Sequence, residues 1–251
     1  MLYFTISGKK TQGRCEVISH PWKLLIKGDK MMNVTEAVEK RKSIRAFLAK
    51  PVPQEILKGV LQSALRASSW GNTQPWKVTV VGGKVLQGMI KECVGKAAAG
   101  EDPRTDVAIP NEWPEVLSRR YKENGKQLFE LLGIGRGDKN ARAEHMLKMF
   151  KFFGAPQAIY MHIDGTLGLY SIFDVGLLAQ NIALLAVEKG LGTCFLGVSV
   201  RFADVVRQHT GIPESDQIII GMAIGYPDLD APVNHFRSER EPLETVVRWV
   251  G

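Results

Sequence analysis

The apolar segment over residues 171–189 restricts the fold of this chain more than any other part of the sequence. Its apolar side chains occur on nearly every side of a helical projection instead of on one stripe. A helix of that kind has to be covered from several directions. Asp174 near its start and Lys189 at its end suit the helix dipole, and Gly190 can close it. The segment predicts a long buried helix, either the spine of one core or half of a subunit interface.

Strand-like and helix-like segments surround this helix without regular alternation. Strands are predicted over 77–81, 158–163, 193–196 and 217–224, and further helices over 34–40, 53–65, 114–132, 141–153 and 202–209. Thr35 is the predicted N-cap of the first helix, and residues 100–113 read as an exposed loop. Because β-α-β alternation is weak, we expect an α+β fold with a central, mostly antiparallel sheet wrapped by helices.

The charge balance bears on possible nucleic-acid partners. The formal net charge is +7, from 33 basic and 26 acidic residues in a chain of 251. The two signs are interspersed and no run of five or six like charges occurs, so no basic arm is predicted. We therefore expect no nucleic-acid partner. A mildly positive surface also attracts small anions such as phosphorylated cofactors.

The cysteines and the first residues bear on the compartment. Cys15, Cys93 and Cys194 lie far apart and form no CxxC, so neither a disulfide framework nor a zinc site is predicted. Residues 1–31 carry scattered charges and no apolar core of a signal peptide, and they read as an extension before a domain over 32–251. These features favour the cytoplasm.

Two further expectations concern the chain's start and the membrane. Met31 or Met32 is an alternative start of the chain. The most apolar stretch, residues 177–187, contains Gln180 and Asn181 and is short for a membrane span. We expect no membrane partner.

Two short clusters carry most of the chemistry. Residues 68–76 combine small hydroxyls, a glycine, two amides and two indoles between a helix and a strand. Amides can match the donors and acceptors of a flat ring, and indoles cover its apolar faces. Residues 41–45 present three cations and a hydroxyl, and guanidinium forks bind phosphate bidentately. Taken alone, residues 41–45 are more typical of a solvated helix end than of a phosphate site. Together the clusters point to a flavin mononucleotide (FMN) site.

The set of motifs resembles the nitroreductase superfamily of FMN-dependent oxidoreductases. The similarity runs from about Val34 to the C-terminus, and the branch that it is most similar to reduces nitrobenzoates and nitroaromatics. The motifs that carry it are residues 41–47, 69–76, 153–156, 190–194, 221–227 and 236–240. The resemblance implies a nitroreductase-like fold and a domain-swapped homodimer with two FMN sites at its interface.

The resemblance also implies roles for particular residues. The segment 41–45 and the late arginines would hold the phosphate and the pyrimidine edge, the loop 69–72 would lie along the ring of the other subunit, and the backbone after residue 194 would meet the ring near N5. The cofactor-binding residues are then Arg41, Lys42, Ser43, Arg45, Ser69, Trp70, Asn72, Phe195, Leu196, Gly197, Arg237 and Arg240. The substrate-facing residues are Gly71, Tyr121 and Phe129, although core packing is an equal alternative for the last two. No catalytic side chain and no metal ligand are expected.

The reaction implied is a ping-pong transfer of two electrons from NAD(P)H, through FMN, to nitroaromatic, quinone or similar electron-poor small molecules. The alternatives are another FMN reaction, such as reductive dehalogenation or flavin destruction, and a flavin-binding module without turnover. Dehalogenation is disfavoured because Leu117 stands four residues before Tyr121, where iodotyrosine deiodinases have a glutamate.

Several other features are predicted to be structural. The glycines at 133, 135 and 137 follow no strand, so they do not form a dinucleotide fingerprint. His145 and His162 stand apart from other ligand types, Cys194 lies in an apolar run, and Trp76 directly precedes a strand. We expect packing roles for these four side chains.

Overall fold

A four-stranded sheet forms the centre of the computed structural model, which describes residues 32–110 and 112–251. The predicted extension over 1–31 lies outside the described residues. The strands are β1 (Lys77–Gly82), β2 (Gln157–Asp164), β3 (Gly192–Leu196) and β4 (Asp216–Gly225). Their order is β1-β2-β4-β3 and every pairing is antiparallel. The expected α+β class with an antiparallel central sheet is confirmed.

Helices cover both faces of this sheet. They are α1 (Val34–Lys40), α2 (Gln54–Ala64), α3 (Gly83–Ala98), α4 (Glu115–Leu131), α5 (Lys139–Phe150), α6 (Leu169–Glu188), α7 (Ala203–Thr210) and the short α8 (Leu243–Val246). One core cluster contains Leu86, Val206 and Phe202 beside one sheet face. The other contains Leu57, Leu178 and Met222 on the opposite face. The fold thus has a helix–sheet–helix layering about two apolar cores.

Three local features differ from the sequence-based prediction. Helix α3 was not predicted, because two glycines stand at its start; Gly82 is its N-cap and Gly83 has a φ of +57°. The first helix is capped by Asn33, whose side chain accepts a hydrogen bond from Glu36 N at 2.9 Å, so the Thr35 cap was wrong. Helix α5 ends at Phe150 instead of 153, since the two phenylalanines that follow adopt positive φ.

Helix α6 is the spine of the second core. Val175, Leu178 and Ile182 are at most 1% exposed and pack within the cluster beside the sheet. The opposite side of the helix is open in the single chain, where Leu169 is 82% and Phe173 62% exposed. The first prediction for this helix, a core spine, is therefore confirmed. Its open apolar side is the kind of surface that another protein covers.

Helix α6 is also longer than the apolar stretch identified from the sequence. Among the residues that the structure describes, it is the one helix whose length and apolar composition would allow it to cross a membrane. The buried core helix of a water-soluble protein meets the same criterion. The contacts of α6 with α2, β2 and β3 are those of a core helix.

Candidate functional site

The cationic segment 41–45 lies alongside β3. Ile44 N donates a hydrogen bond to Thr193 O at 2.9 Å, and Ser43 forms an isolated parallel bridge with Thr193. The Ile44 side chain is buried directly over Gly192, where an added Cβ would lie 2.5 Å from Ile44 Cγ1. Because Ile44 points inward, the polar side chains on either side of it turn toward solvent.

The C-terminal segment brings two further arginines to the same place. Arg237 Nη2 donates to the backbone oxygen of Glu39, and Arg240 Nη1 donates to Ser238 Oγ at 2.8 Å and to Glu239 O at 2.8 Å. Burial, followed by the positive charges of Arg240 and Arg237, lowers the pKa of Arg41. Guanidinium groups from both ends of the domain therefore crowd one another.

These groups line one cavity of about 580 Å³, the cation cavity. Its lining includes Arg41, Lys42, Ser43, Arg45, Arg237 and Arg240, which are six of the predicted cofactor-binding residues. Converging cations whose mutual repulsion lowers a pKa are favourably neutralised by a dianion. The residues present therefore fit a phosphate monoester such as that of FMN.

The cavity also has walls that the sequence analysis did not identify. Asn124 of α4, Gln180 of α6 and Phe236 line it as well. Gln180 was visible as a polar interruption in an apolar helix, which is the signal that could have identified it. Asn124 carries no such signal, because it stands among other polar residues.

The backbone after β3 forms a tight turn over the sheet. Leu196 is buried, Gly197 is exposed and Phe195 lies between these extremes. A 3-10 turn over Gly197–Val200 is fixed by Ser199 Oγ, which donates to Leu196 O at 2.6 Å. The structure thus exposes backbone at the place where the sequence predicts contact with the flavin ring.

We predict that Gly221→Ala deforms this turn. A Cβ at Gly221 would lie well inside the contact distance of Ser199 Oγ and 3.0 Å from Tyr160 Cε1. Overpacking of this kind costs about 1–3 kcal/mol of stability. Thermal unfolding should show the loss, and FMN titration should show weaker binding. Gly95→Ala in α3 is the control because, apart from the neighbouring backbone of its own helix, its added Cβ would lie more than 4 Å from every described atom. Equal melting temperatures for the two variants would contradict the prediction.

The loop 69–74 is held in an unusual backbone conformation. Asn72 and Gln74 have φ values of +56° and +49°, which non-glycine residues seldom adopt. The Trp70 N–H points at the buried carboxylate of Asp174, 3.2 Å from its Oδ2, and Gln74 N donates to Ser69 Oγ at 3.0 Å. Backbone strain of this kind is typical of ligand-contacting loops.

This loop borders a second cavity of about 600 Å³, the loop cavity. Trp70 and Gly71 line it, and the Trp70 ring packs edge-on against Tyr170 with centroids 4.6 Å apart. Among the described residues, the lining of the loop cavity shares no member with that of the cation cavity. Within one chain, the predicted phosphate-binding residues and the predicted ring-facing loop therefore belong to different cavities. Ser69 and Asn72 are part of that loop.

The other two predicted substrate residues do not line either cavity. Tyr121 projects from α4 and is 73% exposed. Phe129, on the same helix, packs edge-on against His145 at 5.3 Å and lies beneath the Arg142 guanidinium at 4.3 Å. Contact with a substrate stays a prediction for both residues.

The side chains expected to be structural are buried. Trp76 and Cys194 belong to the two cores, and burial raises the pKa of Cys194. His145 lies among aromatic rings, and burial followed by the charge of Arg45 lowers its pKa. His162 bonds to Thr79 and Asp216. No group of three His, Cys, Asp or Glu side chains able to hold a metal occurs in the part of the chain that the structure describes.

Comparison with known proteins places these features in a family. The nitroreductase family model matches residues 38–226. A 4-nitrobenzoate reductase of Pseudomonas putida is 33% identical over 218 residues, which are 85% of this chain and 94% of that protein. A nitrobenzene nitroreductase of Ectopseudomonas oleovorans is 29% identical, with 86% of this chain and 96% of that protein covered.

Solved structures are similar over the same length. The FMN- and NADPH-dependent nitroreductase NfnB from sphigopyxis sp. strain HMH is 32% identical with a TM-score of 0.85, covering 88% of this chain and all of that one. The FMN-dependent NfnB from Mycobacterium smegmatis, solved in complex with NADPH, is 28% identical with a TM-score of 0.82, covering 87% of this chain and all of that one.

Proposed function

Because this chain belongs to the nitroreductase family, we propose that it is an FMN-dependent enzyme that passes two electrons from NAD(P)H to nitroaromatic acceptors. Quinones and similar electron-poor small molecules are further acceptors in this proposal. The observation that carries it is the meeting of Arg41, Arg237 and Arg240 in one cavity with a hydroxyl and further cations. The relatives that reduce nitroaromatics and use FMN with NADPH support the choice of reaction.

The chain's own residues bind and orient the reactants. The guanidinium groups of the cation cavity would hold the phosphate, and Lys42 would lie toward the pyrimidine edge, where a positive charge raises the potential of a flavin. The exposed backbone at Gly197 would meet the ring. When bound, FMN supplies the two-electron chemistry. No side-chain nucleophile is required, and a flat slot used first by the nicotinamide and then by the acceptor gives a ping-pong scheme.

We further propose that the working unit is a homodimer. The two cavities of one chain are separate. On α6, exposed Leu169 lines the loop cavity, Gln180 lines the cation cavity, and exposed Phe173 lies between them along the helix. A second copy covering this side would bring its loop 69–72 to the first copy's cation cavity. Domain swapping of the terminal segment, whose Trp249 is 84% exposed, fits the same assembly.

The remaining proposals concern partners and location. The interspersed charges support small-molecule acceptors over nucleic acid as partners. The packing of α6 into the core supports a protein without a membrane partner. The widely spaced cysteines support a cytoplasmic location.

Purification of the full chain tests the central proposal. We expect a yellow protein that retains about one FMN per chain, as measured by absorbance after heat release, and that oxidises NADPH when 4-nitrobenzoate is added. The matched control is 4-aminobenzoate, which lacks the group to be reduced. A colourless protein that does not bind added FMN would overturn the proposal. A yellow protein that consumes neither NADH nor NADPH with nitroaromatics or menadione would instead be a flavin-binding module.

A further inference from the structure

Asn234 is a buried amide at the base of the C-terminal segment that carries Arg237 and Arg240. Its side chain is 1% exposed, and it lies in a 3-10 turn over Pro232–His235. Burial of an amide is costly unless its donors and acceptor are satisfied. Those of Asn234 are satisfied by backbone groups, two of which, on Arg45 and Ala46, are far away in sequence.

The hydrogen bonds of Asn234 join two segments of the cation cavity. Its Oδ1 accepts from Arg45 N at 2.7 Å. Its Nδ2 donates to Ala46 O at 2.8 Å and to Asp228 O at 2.7 Å. One side chain therefore fixes the backbone at Arg45, at one end of the cationic segment, against the start of the segment that continues to Arg237 and Arg240.

A second contact links Arg45 to the segment that follows Asn234. Phe236, two residues after Asn234, is buried, and the Arg45 guanidinium lies 5.7 Å from its ring centroid. Any shift of the Asn234 turn would move this ring together with the arginines that follow it. Because bidentate phosphate binding depends on the placement of both groups of cations, a small change in their spacing weakens it.

We propose that Asn234 is a positioning residue for the cofactor phosphate, setting the distance between Arg41 and Arg45 on one side and Arg237 and Arg240 on the other. This inference rests on the proposed FMN-dependent function. It assigns to Asn234 an effect on phosphate recognition and none on the ring. FMN and riboflavin differ only in that phosphate, so their relative affinities isolate the effect.

The test compares FMN and riboflavin binding to the flavin-free full chain by fluorescence quenching. We expect Asn234→Ala to reduce the preference for FMN over riboflavin about tenfold, as for the loss of one hydrogen bond to a charged group, with riboflavin affinity nearly unchanged. Saturating FMN should restore NADPH turnover with 4-nitrobenzoate, because the defect lies in cofactor binding. Asn234→Ser, which is smaller and uncharged and keeps an oxygen acceptor, carries the same criterion if the alanine variant does not fold.

The control is Gln157→Ala. Gln157 also joins distant backbone through its side-chain amide. Its Oε1 accepts from Val52 N at 2.9 Å and its Nε2 donates to Val52 O at 2.9 Å, but it does not line the cation cavity. The Gln157→Ala variant should keep the wild-type FMN preference. The inference is overturned if the Asn234 variants keep that preference too, if they lose FMN and riboflavin binding equally, or if neither yields folded protein. A wild-type chain that binds FMN no better than riboflavin would contradict the proposed phosphate site itself.

Discussion

The double variant Arg41→Ala/Arg240→Ala is expected to bind FMN at least about 100-fold more weakly than the wild type and to purify without colour. The two guanidinium groups come from opposite ends of the domain and line the same cavity. A hydrogen bond to a charged group contributes about 1.5–3 kcal/mol, and two such losses at one phosphate are not fully additive. Titration of the flavin-free protein with FMN, followed by fluorescence quenching, measures the change.

The control removes two positive charges from another face of the domain. Lys84 and Lys91 lie on α3, are exposed, and line neither cavity. Lys84→Ala/Lys91→Ala should therefore change FMN affinity less than about threefold at physiological salt, where exposed charges are screened over about 8 Å. Equal weakening by the two double variants would indicate a general charge effect and would contradict a specific phosphate site.

Asp216→Ala is expected to cause the largest loss of stability among the variants considered. The carboxylate is buried at the start of β4, where Oδ1 lies 2.7 Å from Lys77 Nζ and Oδ2 lies 2.7 Å from His162 Nδ1. Removing this carboxylate leaves the buried His162 without its partner, whereas the Lys77 side chain, 51% exposed, can turn to water. The loss is therefore about 2–4 kcal/mol, below the full cost of breaking a buried ion pair. For a domain of this size, that loss lowers the melting temperature by about 4–16 °C. Calorimetry or circular dichroism would measure it.

The pH dependence gives a second measurement on Asp216. Burial alone would raise the pKa of this carboxyl, but the hydrogen bonds from Lys77 and His162 outweigh burial and lower it. A carboxyl whose pKa is lowered in the folded state stabilises the protein above its ordinary pKa, and this contribution is lost as the pH falls through the folded value. The variant should therefore lose less stability than the wild type on acidification.

Glu55→Ala is the matched control for Asp216. It breaks the ion pair of Glu55 with Lys58 on α2, whose atoms lie 3.1 Å apart and whose side chains are 82% and 59% exposed. Exposed pairs of this kind contribute about 0–1 kcal/mol. A melting temperature of Asp216→Ala equal to that of the control would show that the buried network adds nothing.

The strongest periodic patterns predicted the fold well. Helix α6 and strand β4 were identified from their apolar runs. In the structure, α6 begins two residues and ends one residue earlier than predicted, and β4 is one residue longer at each end. Helix α3 was not predicted because glycines occupy the positions where a capping side chain would mark its start. The end of α5 was predicted three residues too late because Phe152 and Phe153 adopt positive φ, a conformation that tertiary packing imposes on them.

The charged residues of the candidate site could be predicted from the sequence, but the residues that position them could not. The arginines at 41, 45, 237 and 240 were identified through the family resemblance, and the structure brings them to one cavity. Asn234 could not be identified, since its bond to Arg45 spans 189 residues and no local pattern encodes it. Asp174 was assigned to the helix dipole, whereas its carboxylate also faces the Trp70 N–H.

The separation of the cation cavity from the loop cavity has a genetic consequence in the proposed homodimer. Each composite pocket draws its phosphate side from one polypeptide and its ring-facing side from the other. Consider one allele with a substitution at Arg240 and a second allele with a substitution at Gly71. In a dimer of the two encoded subunits, both substitutions then fall in the same pocket. The remaining pocket is wild type throughout, so two individually inactive gene copies complement each other.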